Sequence, residues 1–241
     1  MSGSFMEGRM TKERHLGLVA VESEPLHEKV YREIVRALVS GQFEPGRKLT
    51  SRKLAAELGT SDMPVRAALM RLQALRALNS LPNGTLEVPQ MSAAAFSQLV
   101  EARVVVEGAA AEKAAALING NHLRTLRRLS EALTEAAKSD DIGRYLSANY
   151  DFKFAIYRHC GNEALLFLIE TLWMQVGPLL RRYGDGFRGR LANSLDIGYH
   201  EQALAALVGG DGPGVRQAIV LDIEKGAAFL LQHARFAPER S

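Results

Sequence analysis

The chain is poor in the residues that cross-link, break or anchor a fold. Its 241 residues include one cysteine, Cys160, one tryptophan, Trp173, and only 8 prolines. A single thiol excludes an intrachain disulfide framework and any zinc site of clustered thiolates, and a reducing compartment is its simplest setting. No stretch approaches the roughly 18 uncharged apolar residues that suggest a membrane span. The opening MSGSFMEGRMTKERHLGL carries Glu7, Arg9, Lys12, Glu13 and Arg14 where a secretory leader needs an unbroken apolar run, so a cytoplasmic protein without membrane contact is expected. Gly-rich phosphate loops ending in lysine and HExxH runs are also missing. What is present is 47% hydrophobic and 24% charged residues, the balance of a soluble globular chain forming one large domain or two compact ones.

The surplus of positive charge is local. Lys and Arg against Asp and Glu count 3 to 4 over residues 1–24, 10 to 6 over 25–90 and 17 to 17 over 91–241. Phosphate binding needs such a local excess, because affinity follows the counterions displaced at the contact. The same excess also fits an ordinary solvated surface.

Leu26, Val30, Ile34 and Leu38 recur at helical spacing, which predicts a helix over 26–40 that ends before Gly41, Pro45 and Gly46. GQFEPGRKL then reads as a turn. Ser51 is the expected cap of a second helix with Leu54, Ala55 and Leu58 inward, stopped at Gly59, where a left-handed backbone costs glycine little. Ser61 caps a third, over about 62–75, with Pro64 early and Val65, Ala68, Leu69 and Leu72 inward. NSLPNGTLEVP, with Asn83–Gly84 between alternating arms, predicts a β-hairpin wing.

From Ser92 the composition turns to alanine- and leucine-rich helix formers. Periodic sets at Leu99 to Ala110 and Leu123 to Leu133 are followed by candidate helices over 140–159, 163–181, 190–208 and 212–232, separated at Gly161, Gly184–Gly186 and Gly209–Gly214. The expected fold is mainly α, an N-terminal winged helix-turn-helix followed by an antiparallel bundle of about six helices. Its divisions are an arm at 1–24, a winged module at 25–90 and the bundle at 93–234.

Two closely joined helices of this kind place the second in a DNA major groove, its first turns against base edges and phosphates. Met63, Arg66 and Arg71 are candidate contacts on that helix, and Arg52 on the one before; Arg66 combines a donor fork with an early position. A solvated face is the bland alternative for Arg66 and Arg71. Asp62 opposes phosphate binding unless it accepts from a cytosine, pairs internally, or serves the N-terminal end of its own helix.

The ordered features PGRKL, LAAELG, SxxPVRxAL and a leucine-rich helix end, within LHEKVYREIVRALVSGQFEPGRKLTSRKLAAELGTSDMPVRAALMRLQALRAL, resemble the winged helix-turn-helix of GntR-family bacterial transcription regulators. The resemblance implies operator contacts at Arg52 and Arg66, a recognition helix opened by Ser61 and Pro64, and a wing at Asn83 and Gly84 near the minor groove. The sequence departs from the family where Asp62 follows Ser61 in place of arginine, Ser51 replaces a glutamate, Ala77 replaces a glycine, and no arginine precedes Gly84.

LVEARVVVEGAAAEKAA, NYDFKFAIYRHCGN, HEQALAALVGGD and the helix after Asp211 resemble the FCD-type effector domain of the FadR-like subgroup. That implies homodimerisation and a small effector, commonly a carboxylic acid and sometimes metal-assisted. The family's metal-binding positions fall on Asn149, Lys153, His200 and Asp222, so one histidine is left, and the ammonium of Lys153 repels cations; no metal and no cofactor are expected. Two readings of this quartet stay open: a buried Lys153–Asp222 ion pair, or an effector carboxylate bound by Lys153 with Arg103. Arg103 and Glu107 are also four apart and can pair locally. His200 is either a pocket residue or a hydrogen-bonded core imidazole. Trp173, Phe167 and Met174 read as core or dimer-seam residues.

An enzyme is not expected, since nothing around His200 and Asp222 resembles an oxyanion site or a cofactor module. The expectation is a dimeric repressor-type regulator that binds an inverted-repeat operator in double-stranded DNA and answers to a small anionic metabolite, with the sign of the response left open. The alternative is a small-molecule-binding interaction protein with weakened DNA binding.

Overall fold

The computed structural model describes residues 25–139, 141–184, 198–234 and 236–239. The expected arm at 1–24 and the first part of the candidate helix over 190–208 lie outside them.

Helix α1 spans Leu26–Val39 and buries Val30, Ile34 and Leu38, one side of the helix at four-residue spacing, with Val39 beside them. Strand β1 (Lys48–Leu49) follows, then α2 (Ser51–Glu57) and α3 (Asp62–Ala74). Strands β2 (Asn79–Ser80) and β3 (Leu86–Glu87) form the expected hairpin. β1 pairs antiparallel with β3, Leu49 opposite Leu86, so the wing is a sheet in the order β1-β3-β2. The sequence reading took PGRKL only as a turn; two residues carry too little alternation to announce a strand.

The helix starts need a correction. The cap position of α2 is Thr50 rather than Ser51, and neither Thr50 nor Ser61, at the cap of α3, makes a side-chain capping bond. The hydroxyl of Ser51 instead acts on Asp62, the first residue of α3, lowering the pKa of its carboxyl. At the end of α3 the backbone turns left-handed at Arg76 (φ 57°), one residue before Ala77, which is fully buried. A chiral residue there carries a strain of about 1–2 kcal/mol that glycine would avoid.

Six further helices are described: α4 (Ala93–Ala115), α5 (Gly120–Lys138), α6 (Ile142–Tyr157), α7 (Glu163–Gly184), α8 (Gly198–Val208) and α9 (Gly212–His233). Short polar caps start several of them. Ser92 accepts from the Ala95 amide, Asn119 and His122 form a reciprocal capping box, and Asp141 and Asp211 accept from Arg144 and Gly214 amides. α9 lies most extensively against α4 and α8, and α5 against α6. α9 runs antiparallel to α4: Arg216 near its start pairs with Glu112 at 3.3 Å, and Phe236 beyond its end packs on Phe96, ring centroids 5.2 Å apart.

The stretch Glu163–Arg181 of α7 is long and apolar enough to cross a membrane, which the search for uncharged runs overlooked because Glu163, Glu170 and Arg181 interrupt it. In the fold its Ile169, Trp173, Met174, Val176 and Leu179 are core residues. Phe167, read as core or seam, is half exposed beside Leu168.

α7 also joins the two parts of the molecule, for α1 packs on α3 and on α7. Gly177 makes the close approach possible: a Cβ there would come within 2.7 Å of Val39 Cα and press on the Leu38 carbonyl. The buried residues accordingly form a single cluster running from Val30 to Leu230.

Candidate functional site

The first candidate is the face made by α3 and the wing. Met63, Arg66 and Met70 stand exposed on α3, while Val65, Ala68, Leu69 and Leu72 point inward. Arg66 and Met70 line one groove with Asn83, Gly84 and Thr85 of the wing tip. Gly84 occupies a left-handed turn (φ 77°) closed by its amide donating to the Leu81 carbonyl, and the Thr85 amide donates to Asn83 Oδ1 at 3.0 Å. Arg52 and Ser61 are exposed near the starts of α2 and α3 and do not themselves line this groove.

Asp62 pairs internally, one of the roles open to it. Arg66 Nη2 donates to Asp62 Oδ2 at 2.9 Å. The Ser51 hydroxyl, more than the Arg66 guanidinium, holds the Asp62 carboxyl below the ordinary carboxylate range. An exposed pair of this kind contributes little to stability, so Arg66 can exchange Asp62 for a stronger anion at small cost. Arg71 is placed differently. Its Nη1 donates to both carboxylate oxygens of Glu28 at 3.2 Å, and its guanidinium lies 3.8 Å from the Tyr31 ring centroid. It ties α3 to α1.

The second candidate is a cavity of about 70 Å³ within the bundle, between α4, α6, α7 and α9. Arg103, Asn149, Lys153 and Asp222, four of the five residues singled out for the effector, line it. His200 does not; with Asn149, Lys153 and Asp222 it borders a smaller annex of about 10 Å³.

Four charges are built into these walls as two pairs. Glu107, fully buried, accepts from Arg103 Nε at 2.6 Å and from the Tyr157 hydroxyl at 2.6 Å. Burial, with the Glu107 charge behind it, pushes the Tyr157 phenol well above its ordinary value, so it stays a donor. Lys153 Nζ pairs with Asp222 Oδ2 across α6 and α9. The Trp173 ring lies near both cations, its centroid 5.0 Å from Arg103 Cζ and 5.9 Å from Lys153 Nζ. Both local pairings anticipated from spacing and register are therefore formed, and both cations still border the cavity.

Sequence reasoning missed Tyr145, which lines both cavities and whose phenol is pushed up first by burial and then by Asp222. The signal was available: Tyr145, Asn149, Lys153 and Tyr157 are spaced by four residues, a polar line on one side of α6.

The comparisons with known proteins bear on both sites. The family model described as bacterial regulatory proteins, gntR family, matches residues 26–88, and the FCD domain model matches residues 98–225. The chain belongs to the GntR family. The HTH-type transcriptional regulator McbR of Escherichia coli (strain K12) is 29% identical over 204 residues, 85% of this chain and 92% of that protein. A probable D-xylose utilization operon transcriptional repressor of Paenarthrobacter nicotinovorans is 30% identical over 147 residues, 61% of this chain and 65% of that one. The solved structure of E. coli McbR/YncC superposes with a TM-score of 0.82 at 28% identity, covering 88% of this chain and all of that chain. A putative GntR regulator from Rhodococcus sp. RHA1, with a TM-score of 0.68 at 20% identity, shares the fold.

As a GntR regulator with an FCD domain, the chain is a DNA-binding transcriptional regulator controlled by a small-molecule effector, a regulatory rather than catalytic protein. The metal found in part of the family does not fit this donor set. The Lys153 ammonium stands at one ligand position and already holds Asp222. His200 Nε2 lies 3.0 Å from Thr134 Oγ1, a hydrogen bond that already engages this ring nitrogen. Among the described residues no three His, Cys, Asp or Glu side chains group closely enough to hold an ion.

Proposed function

We propose that this GntR regulator acts as a homodimer on an inverted-repeat operator and responds to a small anionic metabolite bound without metal, in the cytoplasm. The winged module at 25–90 reads DNA through Arg52, Ser61, Met63, Arg66, Asn83 and Gly84, with Arg71 bracing the reading helix from behind. The bundle at 93–234 holds the effector through Arg103, Asn149 and Lys153, joined by Tyr145, with Asp222 as the partner of Lys153 that the effector displaces and His200 closing the annex behind them. The observation that carries this reading is the groove in which Arg66 on α3 and the Asn83–Gly84 wing tip face the same space. Two such readers related by a twofold would enter successive major grooves, and the exposed Phe167 and Leu168 on α7 supply apolar area for pairing.

Gel-shift titration against promoter DNA tests it. Arg66→Ala is expected to cost about 1–3 kcal/mol of binding and to lower the salt slope by about 1, with the dimer mass unchanged by light scattering. Asp62→Asn, which frees Arg66, is expected to bind more tightly. Unchanged affinity in Arg66→Ala removes that residue from the interface, and a monomer indifferent to duplex DNA at low salt refutes the whole reading. Stoichiometric zinc or nickel in the purified protein would refute the metal-free pocket.

A further inference from the structure

The bundle cavity is polar at one end and apolar at the other, and three helices agree on the direction. On α4 the lining passes from Phe96 to Arg103, about 10 Å further along the axis. On α6 it passes from Ile142 to Lys153. On α9, which runs the other way, it begins at Asp222 and ends at Leu230, about 12 Å along. The Lys153–Asp222 pair joins the polar ends of α6 and α9, and the Phe96–Phe236 contact gathers the apolar ends of α4 and α9. The cavity is therefore a slot with its charges at one end.

The charges at that end already balance. Glu107 offsets Arg103 and Asp222 offsets Lys153, so among the described residues lining the cavity no positive charge is spare. One incoming carboxylate can replace Asp222 on Lys153, because the Asp222 side chain is 28% exposed and can turn to water. A second or third carboxylate on the same ligand would be buried beside Glu107 and Asp222 with no further cation among the described lining residues to meet it, a costly placement.

From this geometry we infer that the effector is a medium-chain monocarboxylate: a single carboxylate head at Lys153, Tyr145 and Asn149, and an apolar tail running toward Phe96 and Leu230. An extended chain of roughly eight carbons fills a length of about 10 Å at bond lengths near 1.5 Å. Compact di- and tricarboxylates and sugar acids fit neither the charge balance nor the apolar end. The inference rests on the proposed reading of this cavity as the effector site.

Gly226 provides a way to test the tail alone. It lies on the wall of the slot, and a Cβ built there meets no heavy atom within 4 Å. A side chain added at this position of the wall thus starts in open space, and any residue but proline is a better helix former than glycine.

The experiment is isothermal titration of the full chain with saturated monocarboxylates of rising length, kept below their micellar concentrations, alongside succinate, citrate, gluconate and octanol. Kd is expected to fall about fourfold per added methylene and to level off near eight carbons. In Gly226→Leu octanoate is expected to lose more than tenfold while butanoate is unchanged, and Gly226→Ala, with a melting temperature no lower than the parent, keeps the parent's preference. Tighter binding of succinate, citrate or gluconate than of octanoate overturns the tail and leaves the anionic-effector reading standing. Equal binding of octanol and octanoate overturns the carboxylate head. Failure of every carboxylate to bind overturns that reading and this inference together.

Discussion

Removing the two partners of the Lys153–Asp222 pair one at a time is expected to give unequal losses. The Lys153 side chain is 4% exposed, whereas Asp222 keeps 28%. Asp222→Asn leaves an ammonium in the bundle with no counter-charge. Breaking a buried pair in this way costs about 3–5 kcal/mol, and the water already touching Asp222 puts this case near 3. Lys153→Met removes the buried ion and leaves a carboxylate that can hydrate in place, a loss of about 1 kcal/mol. At about 2–4 °C per kcal/mol for a protein of this size, the two variants should melt about 6–12 °C and 2–4 °C below the parent. The double variant Lys153→Met with Asp222→Leu, which removes both charges and substitutes apolar volume, should recover most of the loss. Thermal and urea unfolding followed by circular dichroism near pH 7 measures all three. Equal losses, or a larger loss for Lys153→Met, would show that the burial asymmetry does not govern the pair. A second readout separates structure from function: Asp222→Asn is expected to bind carboxylates more tightly than the parent, since it removes their competitor for Lys153.

Tyr157→Phe deletes one of the two donors that satisfy the fully buried Glu107 and should cost about 1.5–3 kcal/mol in urea unfolding; no loss would mean that Arg103 alone satisfies the carboxylate. Gly177→Ala places a methyl against Val39 and the Leu38 carbonyl, so it should lower stability by about 1–3 kcal/mol by pushing α1 off α7; an unchanged melting temperature would deny the close approach. The His159 imidazole is held below its ordinary value of 6.5 by burial first and then by the stacked His122. The unfolded chain therefore takes up that proton first, so stability is full above pH 6.5, declines as pH falls below it, and reaches its full loss once pH passes below the folded value. His159→Gln should flatten that slope in melts between about pH 7 and 5, and an unaltered slope would assign it to other groups.

Residue order was enough for the helices and the wing hairpin, though not for β1 or the α2 cap, and for the chemistry of many individual positions. Val30, Ile34 and Leu38 announce α1 by spacing alone, Gly59 and the Asn83–Gly84 turn mark α2's end and the wing, and capping residues such as Ser92 and Asp211 set bundle helix starts; these are signals carried within a few residues. The charged quartet was legible too, because register against the family pattern put Lys153 and Asp222 together. Tyr145 was not. An aromatic at helical spacing reads equally as core and as cavity wall, and only the neighbours on other helices decide between them. The same holds for Arg71, whose position on the reading helix suggested DNA until Glu28 and Tyr31, 43 and 40 residues earlier, claimed it.

Periodicity, caps and turn residues thus determine which segments are helices and what each presents, since those preferences are local. Which cations are already neutralised, where the slot is polar, and how Gly177 lets α7 seat α1 are decisions of the tertiary structure. They depend on distances between residues far apart in the chain, and no local preference encodes them.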